Sequence, residues 1–334
     1  MKKIELVRTK TYNAFEVRDV VEQEIKEDEV EIEVNYAGLA FADVMMRMGK
    51  YPGSPKLPFT PGYDVTGKVT KVGSEVKNCK VGDKVTALPQ FGGYTQKLVV
   101  NEDRVFTIAA NFDPKKSVCL MLNYTSAYQM LVHEAKVKKG QVILVHSGAG
   151  GVGTALLDLA RVFELKTYAT ASLSKHDVVK KFGAIAIDYK ANDFVDIVLK
   201  HEPNKVDFVF DPVGGSHWKK SRKVLKKGGV LVGFGMLSMF SGNKILDSFL
   251  NIFKTIFSLK IFTKGKKFKF YGVNFNKNII GFRADVANVL KLYAEKKIDP
   301  HIGKVLPLVD IVKAHQLLSQ GKTTGKVILN CKEL

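Results

Sequence analysis

The sequence predicts an α/β protein with a parallel, doubly wound sheet and a second region made mostly of strands. After about Pro114, short apolar runs alternate with segments of helical spacing, the pattern of strands connected by helices. Residues 4–110 instead consist of strand-like runs between glycines. The 334 residues are 46% hydrophobic and 25% charged, which is typical of a globular protein of about two domains.

The first region contains runs with the period-two pattern of half-buried strands. Residues 29–34, EVEIEV, alternate charged and apolar side chains. Residues 64–73 and 82–88 carry β-branched side chains between glycines. These runs predict a meander or a small barrel.

The second region alternates between two element types. Its predicted strands are 141–146, 166–171, 185–189, 206–215 and 229–235, with a closing strand at 324–329. Its predicted helices are 117–134, 154–163, 176–183 and 281–297. No internal repeat of solenoid period is visible.

A glycine cluster lies between a predicted strand and a predicted helix. Gly148, Gly150 and Gly153 fit G-x-G-x-x-G, with Gly151 as an additional small residue beside Val152. The hexapeptide alone is weak evidence, but a strand before it and a helix after it are what dinucleotide binding requires. Glycine lets the backbone approach a pyrophosphate, and the N–H groups at the helix start face the anion. The sequence therefore predicts a dinucleotide-binding loop.

The residues after the next strand favour NADPH over NADH. An NAD site usually has an acidic residue about 20 positions after the first glycines. Here residues 168–172 read YATAS, and the first acid, Asp177, lies inside the following helix. Ser172 and Lys175 would bind a 2′-phosphate, which a carboxylate would repel. Lys175 could also be an exposed lysine at a helix start.

Cysteine use and charge limit the compartment and the partners. Cys79, Cys119 and Cys331 are too few and too far apart for a disulfide framework, and neither a secretory signal nor an apolar run of spanning length is visible. We expect a cytoplasmic protein. The net charge of +19 is concentrated in residues 215–334, which hold 23 basic and 6 acidic side chains. This excess of positive charge serves either solubility alone or attraction to an anionic membrane. The sequence contains no signature of a nucleic-acid-binding module, so nucleic acid is not an expected partner.

Several segments together resemble a known superfamily. They are GYDVTGKVTKVGSEV (62–76), GDKV (82–85) and VILVHSGAGGVG (142–153), in this order and spacing. The chain thereby resembles the medium-chain dehydrogenases/reductases, and among them the zinc-free quinone oxidoreductases of the zeta-crystallin type. NYTSAY (123–128), TASLSKHD (170–177) and FDPVGGS (210–216) are similar to the branch that contains the vesicle amine transport protein homologues.

This resemblance implies a fold, domain limits and an assembly state. The fold would combine a Rossmann doubly wound parallel sheet with a GroES-like catalytic domain that is mostly β and partly barrel-like. The catalytic domain would comprise residues 1–118 plus 276–334, and the NADPH-binding domain residues 119–275. The family also implies a homodimer.

The same resemblance allows the zinc ligands of related enzymes to be compared with the residues of this chain. Zinc members read Gly-His-Glu where this chain reads Gly62-Tyr63-Asp64, and their early cysteine ligand falls near Ala40. Only Asp64 among these could bind zinc, which prefers converging Cys, His and carboxylate ligands. We therefore expect no catalytic metal, and a structural role for Asp64 in holding backbone or an arginine. The seven histidines show no i, i+4 pair, so no other metal cluster is predicted.

The resemblance also implies roles for individual residues. Tyr51 would lie near the substrate and donate to a developing oxyanion, unless it is a turn tyrosine without a chemical role. Phe41 and Asp43 would belong to the motif beside the nicotinamide. That motif usually has Asn before the Phe, where this chain has Ala40, so one polar contact is lost. The remaining implied cofactor contacts are Asn123, Thr125, Tyr189, Phe234, Gly235, Met236, Val273, Asn274, Phe275 and Lys326.

Residues 244–262 form an amphipathic segment of helical period, and lysine-rich KGKKFKF follows at 264–270. Ile256, Phe257 and Leu259 fall on the apolar half, while Lys254, Thr255 and Ser258 fall on the polar half. The segment would either cover the substrate cleft or a partner subunit, or bind an anionic membrane surface through residues 244–270.

Two functions remain open at this point. The first is a zinc-independent, NADPH-dependent reductase of a small-molecule quinone or activated enone, acceptors that take hydride without a Lewis acid. The second is a membrane-surface or interaction protein with a cofactor-binding fold and little turnover. The glycine loop with Ser172, Lys175 and Tyr189 favours the first, and Ala40 with the Phe-rich basic segment favours the second. A zinc alcohol dehydrogenase is disfavoured by the missing ligands.

Overall fold

The structure is a computed structural model that describes residues 1–237, 254–259, 265–273, 275 and 278–334. Its strands are, in chain order, β1 (Lys2–Leu6), β2 (Phe15–Asp19), β3 (Glu29–Leu39), β4 (Asp64–Val72), β5 (Lys84–Ala87), β6 (Lys97–Asn101), β7 (Val105–Thr107), β8 (Val142–Val145), β9 (Lys166–Ala171), β10 (Ile185–Asp188), β11 (Val206–Asp211), β12 (Leu225–Gly233), β13 (Lys267–Phe270), β14 (Ile302–Pro307) and β15 (Lys326–Asn330). Its α-helices are α1 (Phe41–Arg47), α2 (Pro114–Cys119), α3 (Thr125–Gln129), α4 (Gly151–Val162), α5 (His176–Lys181), α6 (Phe194–His201), α7 (Ser216–Ser221), α8 (254–259), α9 (Ile279–Ala294) and α10 (Ile311–Ser319).

The chain folds as two compact units. Unit 1 comprises Met1–Thr125 and Val286–Leu334, and unit 2 comprises Ser126–Asp285. The limits between the units fall inside α3 and α9, so each of these helices contributes residues to both units. The domain limits predicted from the sequence, 118/119 and 275/276, stay a proposal about where independently folding domains begin.

Unit 1 is built on a seven-stranded sheet with the strand order β14-β15-β3-β4-β5-β7, and β6 pairs with β3. All its pairings are antiparallel except that of β14 with β15. In β3, Val30, Ile32 and Val34 are buried in the core, as the predicted alternation of residues 29–34 requires, but Glu31 is also buried, at 3% exposure. The closing strand β15 pairs with β3, which joins the C-terminal segment to the N-terminal part of the unit.

A buried ion pair crosses three adjacent strands of this sheet. Lys326 of β15 donates from Nζ to both carboxylate oxygens of Asp64 of β4, at 3.0 and 2.8 Å. Their side chains are 2% and 0% exposed. The strand between them, β3, carries Gly38 at the register position opposite Asp64. The two side chains can meet over β3 because this residue has none.

Unit 2 is built on a six-stranded parallel sheet with the strand order β10-β9-β8-β11-β12-β13. This is the Rossmann order, in which all strands end at one edge and ligands bind beside that edge. Tyr168, Val209 and Trp218 belong to a core on the face covered by α6 and α7. The predicted fold class, a doubly wound parallel sheet with a mostly β second region, is therefore confirmed.

Several predicted elements of this region have different limits in the structure. The predicted helix 117–134 overlaps only the end of α2, which begins at Pro114, and contains α3, but Leu120–Tyr124 and Met130–Ala135 are π-helical turns. Strand β12 begins at Leu225 rather than at 229, and helix α4 begins at Gly151 rather than at 154. The π-helical turns at 120–124 and 130–135 preserve the hydrophobic pattern of the helix, so that pattern alone did not show them.

The amphipathic segment predicted for residues 244–262 is described only in part, since 244–253 and 260–262 lie outside the described residues. Within α8, Leu259 is buried as predicted, but Thr255 is buried at 5% exposure and Phe257 is 67% exposed. The burial of Thr255 departs from its predicted place on the polar half. The exposure of Phe257 leaves the predicted apolar half open at that position, and what covers it stays a prediction. The lysine-rich run is also not wholly solvent-facing, since 267–270 form edge strand β13 and Lys269 donates to the carbonyl oxygen of Glu134 at 2.8 Å. Among the residues described, no helix combines the length and the apolar character needed to cross a bilayer.

Replacing Gly38 with alanine is expected to disrupt the ion pair. A Cβ at this position would lie 2.3 Å from Asp64 Oδ1 and 2.3 Å from Lys326 Cε, closer than Cβ contacts occur in proteins. We expect the free energy of unfolding to fall by about 1–3 kcal/mol, the usual cost of overpacking a core. Urea denaturation measures it. The control is Gly272→Ala, whose Cβ would meet nothing within 4 Å. Equal stability of Gly38→Ala and the wild type would contradict this account of the pair.

Buried His315 is expected to make the stability of unit 1 depend on pH. It packs between the rings of Phe15 and Tyr94, and neither ring nitrogen has a hydrogen-bond partner among the described residues. Burial, with a smaller contribution from Arg47, lowers the pKa of His315 to about 3. Between about pH 6.5 and 3 the unfolded chain binds a proton here that the folded chain does not, so stability falls as the pH falls.

In the variant His315→Leu, the slope of the unfolding free energy against pH should be smaller by up to about 1.4 kcal/mol per pH unit between about pH 6.5 and 3. Unfolding free energies measured at several pH values between 5 and 7 test this. His201→Gln is the matched control, because His201 is exposed on α6. An unchanged pH slope for His315→Leu would show that His315 is not held neutral in the folded protein.

Candidate functional site

The glycine loop connects β8 to α4 in unit 2, as predicted. Gly148 has no room for a side chain, because a Cβ would lie 2.7 Å from the Cβ of Ala169. At Gly153 a Cβ would lie 2.2 Å from the carbonyl oxygen of Ser147. Gly150 is the N-cap of α4, and it has no side chain to cap the first N–H groups of that helix. These N–H groups, including those of Gly151 and Val152, have no acceptor within the helix and can bind an anion.

The predicted 2′-phosphate residues follow two neighbouring strands. Ser172 and Lys175 come after β9, and Tyr189 comes after β10, which pairs with β9 in parallel. Because parallel strands end at the same edge, these residues lie at one edge of the unit 2 sheet. The pKa of Lys175 is lowered by burial and then by the ammonium of Lys190, so two positive charges lie near each other there. Tyr189 is 56% exposed.

The acids near this edge are engaged in local structure. Asp177 lies in the first turn of α5. Asp188, the last residue of β10, accepts a hydrogen bond from the backbone N–H of Lys190 at 3.0 Å. The residue that ends β9 is Ala171, so the position at which NAD sites usually carry an acid is apolar.

The third group of predicted cofactor residues follows β12 and β13. The N–H of Phe234 donates to the carbonyl oxygen of Asp211 at 3.2 Å, and Gly235 packs against Pro212. Met236 packs against the core of unit 2. Val273 is half-buried and Phe275 is buried, whereas Asn274 lies outside the described residues.

In unit 1, Asp43 holds the turn that begins α1. Its Oδ2 accepts from the N–H of Ala40 at 2.8 Å, and its Oδ1 accepts from the N–H of Gly62 at 3.1 Å. Burial raises the pKa of Asp43 to about 6, and the two backbone N–H groups and Tyr94 partly oppose this. Because each carboxylate oxygen accepts from a backbone N–H, Asp43 holds Phe41 in place at the start of α1. The predicted role of Phe41 and Asp43 beside the nicotinamide stays a prediction.

Tyr51 is half-buried, and its hydroxyl lies 2.9 Å from the hydroxyl of Tyr63. The two rings meet edge to face, with centroids 6.5 Å apart. Either hydroxyl can donate in this pair, so Tyr51 can accept from Tyr63 and direct its own proton to another acceptor.

Asn123, Thr125 and Lys326 are the other predicted cofactor residues of unit 1. Lys326 donates to Asn123 Oδ1 at 3.4 Å as well as to Asp64, so the structure brings two of the three together. Thr125 is 1% exposed and donates from its hydroxyl to the carbonyl oxygen of Leu120 at 3.0 Å. The predicted cofactor contacts of these three residues stay a prediction.

Asp64 is a structural acceptor, but its partner is not the arginine that the sequence suggested. It pairs with Lys326 and also accepts from backbone. Burial raises the pKa of Asp64, and Lys326 opposes that shift. Tyr63 and Asp64 stand where zinc members carry two ligands; here Tyr63 bonds Tyr51 and Asp64 bonds an ammonium. This donor set does not suit a zinc ion.

The structure also brings together residues that sequence reasoning missed. His146 and His217, far apart in the chain, have ring centroids 4.5 Å apart. Asp211 and Ser221 lie between them: Ser221 Oγ is 2.6 Å from Asp211 Oδ2 and 3.1 Å from His146 Nε2. The conclusion that the histidines form no cluster was therefore wrong for this pair. The only local signal was the i, i+4 spacing of His217 and Ser221.

Comparisons with known proteins agree with this geometry. Residues 26–110 match the family "Alcohol dehydrogenase GroES-like domain", and residues 182–329 match "Zinc-binding dehydrogenase". The human synaptic vesicle membrane protein VAT-1 homolog is 34% identical over 87% of this chain and 76% of its own length. The Danio rerio protein of that name is 32% identical over 93% of this chain, which spans 66% of that relative's length.

Solved structures show the same likeness. A quinone oxidoreductase from Pseudomonas syringae superposes with a TM-score of 0.86 and 27% identity, covering 98% of this chain and 99% of that chain. A mycobacterial protein solved in complex with NADPH superposes with a TM-score of 0.87 and 25% identity, covering 99% of both chains. Proteins of this fold thus bind a nicotinamide dinucleotide. The chain therefore belongs to the zinc-free quinone oxidoreductase family of the medium-chain dehydrogenases/reductases. This conclusion rests on its GroES-like and Rossmann parts, its glycine loop and these relatives.

Proposed function

We propose that this protein is an NADPH-dependent oxidoreductase that transfers hydride to a small quinone or an activated enone without a catalytic metal. The observation that carries the proposal is the charge at the edge of the unit 2 sheet. Lys175 and Lys190 lie near each other after β9 and β10, and Ala171 stands where an NAD site has an acid. The ammonium of Lys190 disfavours the charged form of Lys175, and a 2′-phosphate bound between them would offset that repulsion.

The glycine loop fits a dinucleotide on steric grounds. Side chains at Gly148 or Gly153 would collide with the loop itself or with β9. The N-terminus of α4, capped by Gly150, presents N–H groups to the pyrophosphate. Bound NADPH would supply the hydride, and Phe234, Gly235 and Met236 at the same sheet edge would bind its nicotinamide side.

We infer the chemical class of the hydride acceptor from the hydrogen-bond partners of Asp64 and Tyr63. An unactivated ketone needs a Lewis acid, and Asp64 and Tyr63 are engaged with Lys326 and Tyr51. A conjugated carbonyl needs only a hydrogen bond to the oxygen on which charge develops. Tyr51 is our candidate for that donor, because its hydroxyl can accept from Tyr63 while donating to substrate.

A second function stays under consideration because of the exposed apolar side chains in unit 2. Phe257 of α8 is 67% exposed and Phe270 of β13 is 46% exposed. With residues 244–270 they would contact an anionic membrane surface, and the relatives' name, synaptic vesicle membrane protein, describes such a location for those proteins. Measuring NADPH oxidation with quinones or enones distinguishes the two functions. Turnover would indicate an active reductase, in the cytoplasm or peripheral on membranes, and its absence would favour the membrane-surface protein.

We also propose a homodimer. Strand β13 is the last strand of the unit 2 sheet and pairs only with β12 among the described residues. Its outer edge is therefore available for pairing with the same strand of a second copy.

Lys175→Gln should weaken NADPH binding about ten- to a hundredfold, the worth of a charge-assisted hydrogen bond, and leave NADH binding unchanged. Fluorescence titration of each nucleotide, followed by an acceptor screen on the same sample, measures both. Lys200→Gln is the control, because Lys200 is exposed on α6. Equal loss of NADPH and NADH binding would remove the 2′-phosphate role, and no binding of either nucleotide to the wild type would remove the proposed function.

Tyr51→Phe should lower kcat with a quinone by about 100-fold or more, the usual range for loss of a proton or hydrogen-bond donor, with the NADPH Kd unchanged. Steady-state kinetics with a nucleotide titration test it. Tyr63→Phe should produce a smaller loss, because it removes only the neighbouring hydroxyl. Tyr36→Phe, a half-buried tyrosine of β3, is the control. An unchanged kcat would mean that Tyr51 has no chemical role.

A further inference from the structure

The buried cluster of His146, Asp211, His217 and Ser221 in unit 2 has the composition of a metal site. His146 directly follows β8, and Asp211 is the last residue of β11, the strand that pairs with β8. His217 and Ser221 lie four residues apart on α7 and therefore face the same side of that helix. The sheet edge and α7 thus bring together two imidazoles, a carboxylate and a hydroxyl.

The distances among the four donor atoms are close to those of a tetrahedral site. The donors of a tetrahedral Zn²⁺ ion, with bonds of about 2.0–2.1 Å, lie about 3.3 Å apart. Here Asp211 Oδ2 lies 2.7 Å from His217 Nδ1 and 2.6 Å from Ser221 Oγ. Ser221 Oγ lies 3.1 Å from His146 Nε2 and 3.4 Å from His217 Nδ1. The ligand atoms of the two histidines and the aspartate all lie within 4.8 Å of one another. The two Ser221–histidine separations already match a tetrahedral ion, whereas the two short separations from Asp211 Oδ2 would have to lengthen by about 0.6–0.7 Å to admit one.

The burial of the cluster suits a specific site rather than a solvated surface group, since His146 is 1% exposed and Asp211 and Ser221 are 0% exposed. Lys220, which follows on α7, is paired with Asp193 at 3.0 Å.

Surrounding contacts orient the donors toward one point. Thr170 Oγ1 lies 3.0 Å from His146 Nδ1, so a proton on Nδ1 leaves the lone pair of Nε2 facing the cluster. The N–H of Val213 donates to Asp211 Oδ1 at 2.8 Å, which leaves Oδ2 for the cluster. The His217 side chain is 26% exposed while that of Asp211 is fully buried, so an ion and a water ligand have one open side for entry.

We propose that His146, Asp211 and His217, with Ser221 or water as the fourth ligand, bind one Zn²⁺ ion that holds α7 to the edge of the unit 2 sheet. Nitrogen and oxygen donors in this ratio suit Zn²⁺, and Co²⁺ can replace it as a spectroscopic probe. Binding displaces the proton that His217 Nδ1 shares with Asp211, either to His217 Nε2 or to solvent. The site does not depend on nucleotide binding or on reductase activity.

Titration of chelator-treated, tag-free protein with Co²⁺ and Zn²⁺ tests the proposal. The expected results are visible d–d absorption of tetrahedral Co²⁺ saturating at one equivalent, displacement by Zn²⁺, and a higher Tm with Zn²⁺. His217→Gln should weaken binding at least about 100-fold, more than the loss of an outer hydrogen-bond partner. His217→Cys should restore it, because a thiolate is a zinc ligand.

Two controls make the outcome specific. His201→Gln removes an exposed histidine outside the cluster and should bind like the wild type. Circular dichroism must show that His217→Gln is folded; if it is not, His217→Cys and the metal stoichiometry of the wild type decide. Absence of stoichiometric binding to the wild type overturns the proposal. So does equal binding by folded His217→Gln, since the metal would then lie outside this cluster.

Discussion

The buried pair of Lys326 and Asp64 constrains unit 1 more strongly than any other contact described there. An ammonium and a carboxylate removed from water each cost several kcal/mol unless they are paired. The pair spans β15, β3 and β4, so all three strands must keep their register for it to form. A slip of one residue in β15 or β4 would turn one of the two side chains to the opposite face of the sheet. The C-terminal strand is therefore held in register by charge as well as by apolar burial.

The same pair limits the chemistry available to unit 1. Lys326 is a fixed cation, but Asp64 and Asn123 already satisfy its donors, so it carries little surplus charge toward a substrate. In zinc members the corresponding place holds a Lewis acid. The proposed preference for quinones and enones, which are activated by their own conjugation, thus rests on side chains that are present and engaged. Tyr51, whose hydroxyl lies 2.9 Å from that of Tyr63, is the candidate donor to such a substrate.

Local sequence patterns predicted the elements whose contacts are local or strictly periodic. The run from β8 through the glycines to α4 could be predicted because its hydrophobicity, turn residues and helix start agree. Strand β13 could not, because alternating lysines and phenylalanines read equally well as a basic tail; its identity depends on pairing with β12. The burial of Thr255 and the exposure of Phe257 depend on what α8 packs against, which helical period does not specify.

The glycine loop, Ser172 and Lys175 could be proposed from the sequence because they follow predicted strands of a parallel sheet, whereas the other candidate dinucleotide residues came from the family resemblance. The partners of Asp64 and His146 could not, because each is brought close by strand order and register rather than by position in the chain. Lys326 reaches Asp64 only when β15 lies beside β3. His217 reaches His146 only when β11 lies beside β8 and α7 covers that face.

Side-chain direction at the edge of the unit 2 sheet keeps its two candidate sites apart. Thr170 faces His146, while its neighbour Ala169 points to the opposite face and supports Gly148. Gly148 also approaches Leu157 of α4, so the dinucleotide loop belongs to the face of α4, and the histidine cluster belongs to the face of α6 and α7. The two sites adjoin through the backbone at Ser147, which has a left-handed φ of 55°, and through Thr170, whose carbonyl oxygen accepts from the N–H of Gly148 at 2.9 Å while its hydroxyl lies 3.0 Å from His146 Nδ1. An ion at His146 would therefore influence nucleotide binding through these two residues, not by competing for the same space.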